Sequence, residues 1–417
     1  MTLSEELEWR GFINQTTFDN IQMLDTEKRT FYMGFDASAD SQTVGNLAGM
    51  LFAKCFLRHG FKGVLLAGGS TSLIGDPGGK DKERPLQDEE TIAFNVARAG
   101  EQLSSVLRGH SFKLVNNLDW TRDMKVLPFL RDIGKYFSMT PLVQRDYIAS
   151  RLGDGGSGIS YTEFSYTILQ GMDYLHLYDT EGVTLQLGGS DQWGNCLSGV
   201  ELVRRARGAS VDVMTLNLVI NKATGKKFGK SEEGAIWLDP QKTSPTKFYQ
   251  FWINSDDESV AEYLKIFTEL DKTTIDSLVK AHAQDKSARL GQNRLAREVT
   301  AMVHGEVQVD IAEQVTSYLV GKSLVADATE QSLQALRTEI PFVRANAGAS
   351  ILQAAVDGGL ADSISEARRL LQGNAFSLDG TKVSREQFEA SDFRNNRLLL
   401  KKGKKFKDTV LVENPNG

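Results

Sequence analysis

The chain has 417 residues, of which 41% are hydrophobic and 24% charged, as in a soluble globular protein of two or three domains. Its net charge of −6 argues against binding nucleic acid through bulk charge and leaves room only for a local basic patch. There is no run of about 18 apolar residues, so we predict no membrane span. The acidic start MTLSEELEWRGF shows no targeting signal, and the two distant cysteines, Cys55 and Cys196, suit a reducing cytoplasm. No two of the five histidines stand at ligand spacing, so we predict no protein-held metal ion.

The first half of the chain alternates short apolar runs with helical patterns. Residues 29–37 and 63–69 predict strands, and residues 44–60 between them have the period of a helix. A strand–helix–strand unit of about 40 residues is typical of a parallel sheet. Residues 181–189 and 211–221 predict further strands. No GxGxxG follows the first strand, so the dinucleotide fingerprint is absent and the pattern favours an open α/β domain of another kind.

The character of the chain changes after residue 243. Long helical patterns without a strand signal follow, and we assign residues 225–335 to a helical domain. Residues 336–350 are expected to form a linker. The last segment, 345–417, contains a short helix that stops at Gly373 and a hairpin whose turn is the pair Asp379-Gly380. These features predict a small α+β domain at this end.

The pentapeptide KFGKS at 227–231 ends like a phosphate-binding loop. That loop requires a glycine five positions before the glycine of its GKS, and Thr224 stands there instead. Lys227 and Lys230 still lie three apart around a glycine, so both ammonium groups can turn toward one anion, and Ser231 adds a donor. The alternative is a solvated basic hairpin tip.

Three glycine-bearing strand ends contain further candidates. The turn 36–47 opens a helix whose N-terminus can bind phosphate, although Ser41 or Thr43 there can be a simple N-cap. Residues 66–84 combine glycines with charged side chains, or form an ordinary surface turn. Residues 185–195 end a strand in two glycines. Because ligands of open α/β sheets lie beyond the carboxyl ends of strands, we expect the three ends to converge on one crevice.

Residues 162–173 predict a helix with a polar face. Tyr166, Gln170 and Asp173 stand at i, i+4 and i+7, so they share this face. The face either meets solvent or lines a polar pocket.

Taken in order, these segments resemble the bacterial tyrosyl-tRNA synthetases, a family of class I aminoacyl-tRNA synthetases. The motifs that carry the resemblance are YxGFDxxAD, GxxxxLIGDP, FLRDIGK, EFSYxxLQGxD, LQLGGSDQWGN and KFGKSEEGAIWLD, and they are spread along the chain. The resemblance implies a Rossmann-like catalytic domain over 1–224, a helical anticodon-recognition domain over 225–335 and a ribosomal-protein-like RNA-binding domain over 345–417. It identifies KFGKS as the family's KMSKS loop, which closes on the pyrophosphate end of ATP.

The resemblance also implies a role for each matching side chain. Tyr32 and Asp173 correspond to the pair that hydrogen-bonds the phenol of tyrosine. The residues implied to hold the backbone groups of tyrosine are Asp76, Tyr166, Gln170 and Gln192. Those implied near the nucleotide are Asp36, Gly45 and Asp191, and those implied to engage pyrophosphate are Lys80, Arg84, Lys227, Lys230 and Ser231. The implied substrates are L-tyrosine, tRNA(Tyr) and ATP with Mg²⁺, for which no dedicated protein ligand is predicted.

One motif departs from the family pattern. The family's HIGH sequence, whose two histidines touch the ATP phosphates, reads Thr43-Val44-Gly45-Asn46 here. Loss of one transition-state donor costs roughly 10²–10³ in rate. We expect the Asn46 amide N–H and the Thr43 hydroxyl to replace the imidazole donors, and therefore an active enzyme. Phosphoryl-type transfer needs positioning and charge more than acid–base groups.

The C-terminal end suggests contact with RNA. Seven basic residues and no acid occupy 394–407, a local footprint for phosphate on an acidic protein, although such tails are often only solvated. The candidates are Lys401, Lys402, Lys404 and Lys405, with Arg204 and Arg205 as a second patch. The segment FLRDIGKYFS resembles the family's dimer face, which implies a homodimer. Neither DNA nor a membrane is an implied partner.

Three other functions are compatible with parts of the sequence. A tryptophanyl synthetase shares the fold, but a hydroxyl-pairing site built from Tyr32 and Asp173 disfavours it, because such sites discriminate by about 10⁴–10⁵. A kinase-like NTPase lacks the required glycine spacing. The alternative that stays open is a synthetase-like RNA-binding protein with weakened or lost amino-acid activation, which only the missing histidines favour.

Overall fold

The structure, a computed structural model, describes residues 1–76, 86–153, 155–220, 228–231, 234–403 and 408–415. The chain forms two compact units. One contains Met1–Lys242 and Ser255–Leu295, and the other contains Thr243–Asn254 and Ala296–Gly417. The three predicted domains remain a prediction. Among the described residues, no helix combines the length and apolar character needed to cross a membrane.

The described chain is a mixed α/β structure. Its strands are β1 (Ile13–Thr16), β2 (Thr30–Asp36), β3 (Lys62–Gly68), β4 (Phe112–Asn116), β5 (Val183–Gly189), β6 (Asp212–Leu216), β7 (Lys230–Ser231), β8 (Gly234–Ala235), β9 (Phe342–Arg344), β10 (Phe376–Leu378), β11 (Thr381–Lys382), β12 (Arg397–Lys402) and β13 (Thr409–Glu413). The helices of the first half are α1 (Leu3–Arg10), α2 (Met23–Thr26), α3 (Val44–Arg58), α4 (Gly69–Ile74), α5 (Glu89–Val106), α6 (Leu118–Thr121), α7 (Val126–Pro128), α8 (Met139–Val143), α9 (Asp146–Leu152), α10 (Tyr161–Glu181) and α11 (Trp193–Arg207). Those of the second half are α12 (Pro245–Ile253), α13 (Val260–Phe267), α14 (Lys272–Gln284), α15 (Leu290–His304), α16 (Glu306–Val320), α17 (Glu330–Glu339), α18 (Ile351–Asp357) and α19 (Ile364–Gln372).

The first unit is built on a six-stranded sheet in the order β1-β6-β5-β2-β3-β4. All neighbouring strands run parallel except the edge strand β1, which pairs antiparallel with β6. The chain winds from β2 through β3 to β4 in one direction and from β5 to β6 in the other. The order therefore reverses between β2 and β5, and the predicted open parallel sheet is confirmed. In such sheets this reversal point is where ligands bind.

Apolar side chains explain why these strands are central. β2 buries Phe31, Tyr32, Met33 and Phe35, as expected for a parallel strand covered on both faces. Helix α3 lies close against it, because a Cβ added at Gly49 would come within 2.8 Å of the Met33 Cε atom. The strands predicted at 29–37, 63–69 and 181–189 and the helix predicted at 44–60 are confirmed.

The second unit contains a five-stranded sheet in the order β11-β10-β12-β13-β9. The predicted hairpin is confirmed, with Leu378 paired to Thr381 across the turn. Asp379 and Gly380 have φ values of +44° and +87°, the left-handed pair that a tight hairpin turn requires. Helix α19 ends at Gln372, directly before the predicted stop at Gly373.

The prediction that residues 336–350 form a linker is wrong for about half of this segment. Residues up to Glu339 belong to α17, and Phe342–Arg344 form β9, which pairs parallel with β13. The sequence predicts an irregular segment here because a three-residue strand has no periodicity of its own. Its partner strand lies about 70 residues later, and only that pairing makes it a strand.

Candidate active site at the strand reversal

The three glycine-bearing strand ends lie side by side, as predicted. Asp36 at the end of β2 is in register with Gly68 at the end of β3, and Met33 of β2 is paired with Leu187 of β5. Polar residues that follow these strands therefore surround one crevice. The helices α3, α4 and α11 begin close to the same edge, and their N-terminal N–H groups favour anionic groups there.

The inner end of the crevice is occupied by the Tyr32 phenol. This side chain is 2% exposed, and no described residue hydrogen-bonds its hydroxyl group. Its ring packs edge-on against Tyr174 at 5.1 Å between centroids, and the Tyr174 hydroxyl donates to the Asp212 carbonyl at 2.7 Å. Burial raises the pKa of the Tyr32 hydroxyl well above its usual value, so the group is neutral. A buried, neutral and unpaired hydroxyl is free to bond to a ligand.

Asp173 is the second buried polar group at this end and is 2% exposed. Its carboxylate accepts hydrogen bonds from Asn117 Nδ2 and Trp120 Nε1, both at 3.0 Å. Burial raises the pKa of Asp173 to about 7, although both donors oppose this shift. Sequence reasoning missed Asn117 and Trp120. The signal was available, because NNLDW follows the end of strand β4, where site residues are expected.

The polar face predicted on residues 162–173 belongs to α10 and includes this carboxylate. One turn earlier, Gln170 Nε2 lies 3.9 Å from Cys196 Sγ, and Gln170 Oε1 is buried with no partner among the described residues. Tyr166, a further turn away, is partly buried. The polar groups of this face therefore lie in a row that ends at the buried Asp173 carboxylate. At that end the face is shielded from solvent.

Asp76 and Gln192 meet across the crevice. Gln192 follows β5 and donates from Nε2 to Asp76 Oδ2 at 2.7 Å, although 116 positions separate the two residues. An acceptor-only carboxylate beside amide groups is suited to a bound ammonium group. Asp191 lies next to Gln192 and is exposed.

The end of β2 presents a second carboxylate. Asp36 accepts hydrogen bonds from Ser72 Oγ at 2.7 Å and from the Ser38 amide at 3.1 Å. Ser72 Oγ also accepts from the Ala37 amide at 3.0 Å, so the turn is held by α4. The Asp36 side chain nevertheless remains exposed to the crevice.

The start of α3 contains the departure from the HIGH motif. Thr43 is the N-cap, and Asn46 Oδ1 accepts from both the Thr43 amide at 2.9 Å and the Thr43 hydroxyl at 2.8 Å. The Asn46 Oδ1 atom is occupied by these two hydrogen bonds. Its Nδ2 group donates to no described residue and is therefore available to a ligand. The Thr43 hydroxyl proton is engaged, so Asn46 is the side chain of this pair that can donate to a ligand.

The KFGKS segment lies against this helix start. The Val44 amide donates to the Ile236 carbonyl at 3.0 Å, and the Ile236 amide donates to the Gly229 carbonyl at 2.9 Å. The Phe228 ring packs on Tyr263 at 4.6 Å and on Phe267 at 5.3 Å. The loop is thereby fixed between α3 and α13 at its glycine.

Several predicted residues fall outside what the structure describes. They are Lys80, Arg84, Lys227, Lys404 and Lys405, together with the side chains of Lys230 and Ser231, whose backbone forms β7. Their predicted roles remain predictions.

The predicted RNA contacts that are described are engaged with the protein itself. Arg204 and Arg205 both pair with Glu201, and hydrogen bonds from Arg204 foremost lower the pKa of that carboxyl to about 2. Lys401 donates to the Leu319 carbonyl, and Lys402 donates to the Leu360 carbonyl at 2.7 Å. These contacts give the two lysines a structural role within the second unit, and their contact with RNA remains a prediction.

Comparison with known proteins identifies the class to which this fold and crevice belong. The sequence model of the family described as tRNA synthetases class I (W and Y) matches residues 24–320. A mitochondrial tyrosyl-tRNA synthetase from Aspergillus nidulans, solved in a C-terminally truncated form, superimposes with a TM-score of 0.68 at 29% identity, covering 76% of this chain and 94% of that one. The fold is thus that of a class I synthetase.

Relatives that match over nearly the whole chain define the family within this class. The tyrosine–tRNA ligase of Bacillus caldotenax is 42% identical over 391 residues, covering 92% of each chain. That of Bacteroides fragilis is 41% identical over 424 residues, covering 97% of this chain and 98% of the relative. The chain belongs to the tyrosine–tRNA ligase family.

Proposed function

We propose that this protein activates L-tyrosine with ATP and transfers it to the terminal adenosine of tRNA(Tyr). The observation that carries the proposal is the buried pair at the inner end of the crevice. The Tyr32 hydroxyl has no partner among the described residues. The Asp173 carboxylate accepts two hydrogen bonds and lies at the buried end of the polar face of α10. A site that pairs a hydroxyl rejects the analogue that lacks it by about 10⁴–10⁵. Tyrosine is the amino acid whose side chain ends in such a hydroxyl.

The other end of the crevice suits the amino-acid backbone. The α-ammonium group would approach Asp76, Gln170 and Tyr166, which offer carboxylate, amide and phenol oxygens. The free Gln170 Oε1 is already buried and without a partner among the described residues, so an ammonium donor would satisfy it. The tyrosine carboxylate would then lie near Gln192, toward the strand ends where Asp36 and Asp191 are exposed.

The reaction is an in-line attack of the tyrosine carboxylate on the α-phosphate of ATP, which enters with its Mg²⁺. The bond to pyrophosphate breaks as the acyl–phosphate bond forms, and tyrosine later passes from the adenylate to tRNA. Positioning and charge stabilisation dominate such transfers. Asn46 Nδ2 donates to the phosphates at the α3 N-terminus. Lys80, Arg84, Lys227, Lys230 and Ser231 are the proposed pyrophosphate contacts.

The proposal extends to assembly and partners. Within FLRDIGKYFS, the segment that resembles the family's dimer face, Leu130 leaves 46% of its surface exposed, and just before it Val126 and Leu127 leave 70% and 79% exposed. An exposed apolar group of this kind supports a homodimer. The basic residues near 394–407 are proposed to contact tRNA, and the two free buried cysteines fit a cytoplasmic protein.

Charging of tRNA tests the function. Purified protein with ATP, labelled tyrosine and tRNA(Tyr) should produce acid-precipitable label, and omission of ATP should abolish it. Asp173→Asn and Tyr32→Phe should each reduce kcat/KM for tyrosine by at least about tenfold, because each removes one partner of the phenol. Protein that binds tRNA but charges none would favour the RNA-binding alternative.

A further inference from the structure

A chain of hydrogen bonds runs behind the proposed α-ammonium end of the crevice. Asn195 in α11 is 6% exposed, and its Oδ1 accepts from Thr167 Oγ1 at 2.7 Å and from Arg145 Nη1 at 3.2 Å. Asn195 Nδ2 donates to Gln192 Oε1 at 3.1 Å, and Gln192 Nε2 donates to Asp76 Oδ2 at 2.7 Å. The motif match assigned roles to the last two residues and none to the first three.

The chemistry of the two ends fixes the direction of every bond. Arg145 has donors only, so Thr167 Oγ1, 3.0 Å from Arg145 Nη1, must accept from it. Thr167 Oγ1 donates to Asn195 Oδ1, and the donor-only Arg145 Nη1 faces the same atom, so the side of the Asn195 amide that faces Arg145 must be its oxygen. At the other end, an ionised Asp76 can only accept.

The two amides between these ends can then take one orientation. If Asn195 were flipped, its NH₂ group would face the Thr167 and Arg145 donors, and its oxygen would face Gln192 Oε1. If Gln192 were flipped, its oxygen would face the Asp76 carboxylate. Each flip places like groups together and leaves buried polar atoms unpaired, so both are disfavoured.

We propose that Arg145, Thr167 and Asn195 are positioning residues that fix the amide orientation of Gln192 and thereby hold Asp76 for the substrate α-ammonium group. This inference rests on the proposed function. The anchor is rigid at its far end as well, because Arg145 Nη2 donates to Ser198 Oγ at 2.5 Å and Thr167 is 2% exposed. The alternative is that the three residues only hold α10 against α11. In that case their substitution would lower stability and would weaken the binding of every ligand equally.

Two variants separate these roles. Thr167→Val keeps the side-chain volume and removes the proton that Asn195 receives. Asn195→Asp keeps the shape but offers oxygen on both sides, so Gln192 must reverse its amide and turn its oxygen toward Asp76. The matched control is Thr180→Val. It removes a hydroxyl from the same helix, and among the described residues that hydroxyl bonds only to the His176 carbonyl.

The measurement is equilibrium binding of two ligands, L-tyrosine and desaminotyrosine, which lacks the α-amino group. We expect the Kd for tyrosine to rise about tenfold in Asn195→Asp and about threefold to tenfold in Thr167→Val, the range for one lost or reversed hydrogen bond. The Kd for desaminotyrosine should stay within about twofold, and Thr180→Val should change neither. In pyrophosphate exchange, the KM for tyrosine should rise more than kcat falls.

The outcomes are distinguishable from failure of the proposed function. Wild-type protein that binds neither ligand would contradict the function itself. Wild-type protein that binds tyrosine, with variants that keep its affinity within twofold or lose both ligands equally, would overturn the positioning role. Thermal melting of each variant shows whether an equal loss comes from unfolding.

Discussion

Gly229 of the KFGKS loop lies directly against Gly45 at the start of α3. A Cβ added at residue 229 would be 3.2 Å from the Gly45 amide nitrogen and 2.8 Å from Val44 Cγ2. The backbone of Gly229 has a φ of +94°, which side-chain-bearing residues rarely adopt. Both proposed ATP-binding segments are thus in contact, and their spacing depends on a glycine at this position.

We expect Gly229→Ala to lower kcat for tyrosine activation by about tenfold to a hundredfold, because the loop must move away from the helix that positions ATP. Gly234→Ala is the matched control. It also has a positive φ of +119°, but nothing lies within 4 Å of its added Cβ. Pyrophosphate exchange compares the two variants. Equal losses would show that backbone strain alone matters and that the contact with Gly45 does not.

The Asn46 donor gives a second prediction. Asn46→Ala removes the Nδ2 group and should reduce ATP-dependent tyrosine activation by about 10²-fold, near the low end for a transition-state donor. Asn46→Asp retains the oxygen that accepts from Thr43 but lacks the N–H donor, so it should lose as much activity. Activity close to wild type in Asn46→Ala would show that ATP is held without this group.

The pKa of Asp173 predicts how tyrosine use varies with pH. Burial raises this pKa to about 7, and the ionised form is the one that accepts the phenol hydroxyl. The kcat/KM for tyrosine should therefore fall up to about tenfold per pH unit as the pH drops below about 7. Trp120→Phe removes a donor that stabilises the carboxylate, so it should move the profile to higher pH. Trp9→Phe, in α1, should leave the profile in place, and a flat wild-type profile between about pH 5.5 and 8 would contradict the assignment.

A buried carboxylate outside the crevice controls stability. Glu6 is 7% exposed and pairs with Arg10, Arg58 and His59. Burial opposes its ionisation, but hydrogen bonds from His59 and Arg10 and the charge of Arg58 lower its pKa to about 2. Because the unfolded value is near 4.3, the unfolded state takes up the proton first, and this contribution to stability is lost as the pH falls from about 5 to 2.

Glu6→Gln should accordingly lower the free energy of unfolding at pH 7 by about 3 kcal/mol, since it leaves the buried Arg10 guanidinium without its carboxylate partner. The variant should also show a smaller loss of stability on acidification. Denaturant unfolding at pH 7 and pH 4 measures both effects. Glu8→Gln, an exposed position on the same helix, should change neither.

The same cluster resembles a metal site in composition. One ligand atom each of Glu6, Cys55 and His59 lies within 4.8 Å of the others. Both Glu6 oxygens already accept hydrogen bonds from cations or His59, and burial raises the pKa of the Cys55 thiol to about 12, which disfavours the thiolate that a metal ion would bind. We expect neither a chelator nor added zinc to shift the melting temperature. A rise of several degrees with zinc would show that a metal displaces the arginines.

The sequence was sufficient for the elements whose signal is local. The strands that end at Asp36 and Gly189 have apolar runs followed by small residues. The Asp379-Gly380 pair is predictable because both residues tolerate the positive φ that a tight hairpin turn requires. Motif matching also selected Tyr32 and Asp173, which the structure brings to one buried end. Periodicity alone had favoured a solvent-facing role for the helix face that carries Asp173.

The rest depends on contacts between distant parts of the chain. Trp120 reaches Asp173 across 53 positions, and Asn117 reaches it across 56, so no spacing rule identifies either donor. Arg145 lies 50 positions before Asn195, and its role emerges only from the direction of each hydrogen bond. The strand β9 was missed for a related reason, because its pairing partner comes near the end of the chain.

The most direct test is ATP–pyrophosphate exchange with tyrosine, phenylalanine and tryptophan in parallel. The account predicts exchange with tyrosine and a preference over phenylalanine of at least about 10⁴ in kcat/KM, because phenylalanine would leave the buried Tyr32 hydroxyl without a partner and would not supply the hydroxyl that Asp173 can accept. It also predicts that Asn46, held by its two hydrogen bonds from Thr43, suffices as a donor where the family has histidines. Comparable exchange with phenylalanine, or none with tyrosine from folded protein that still binds tRNA, would contradict it.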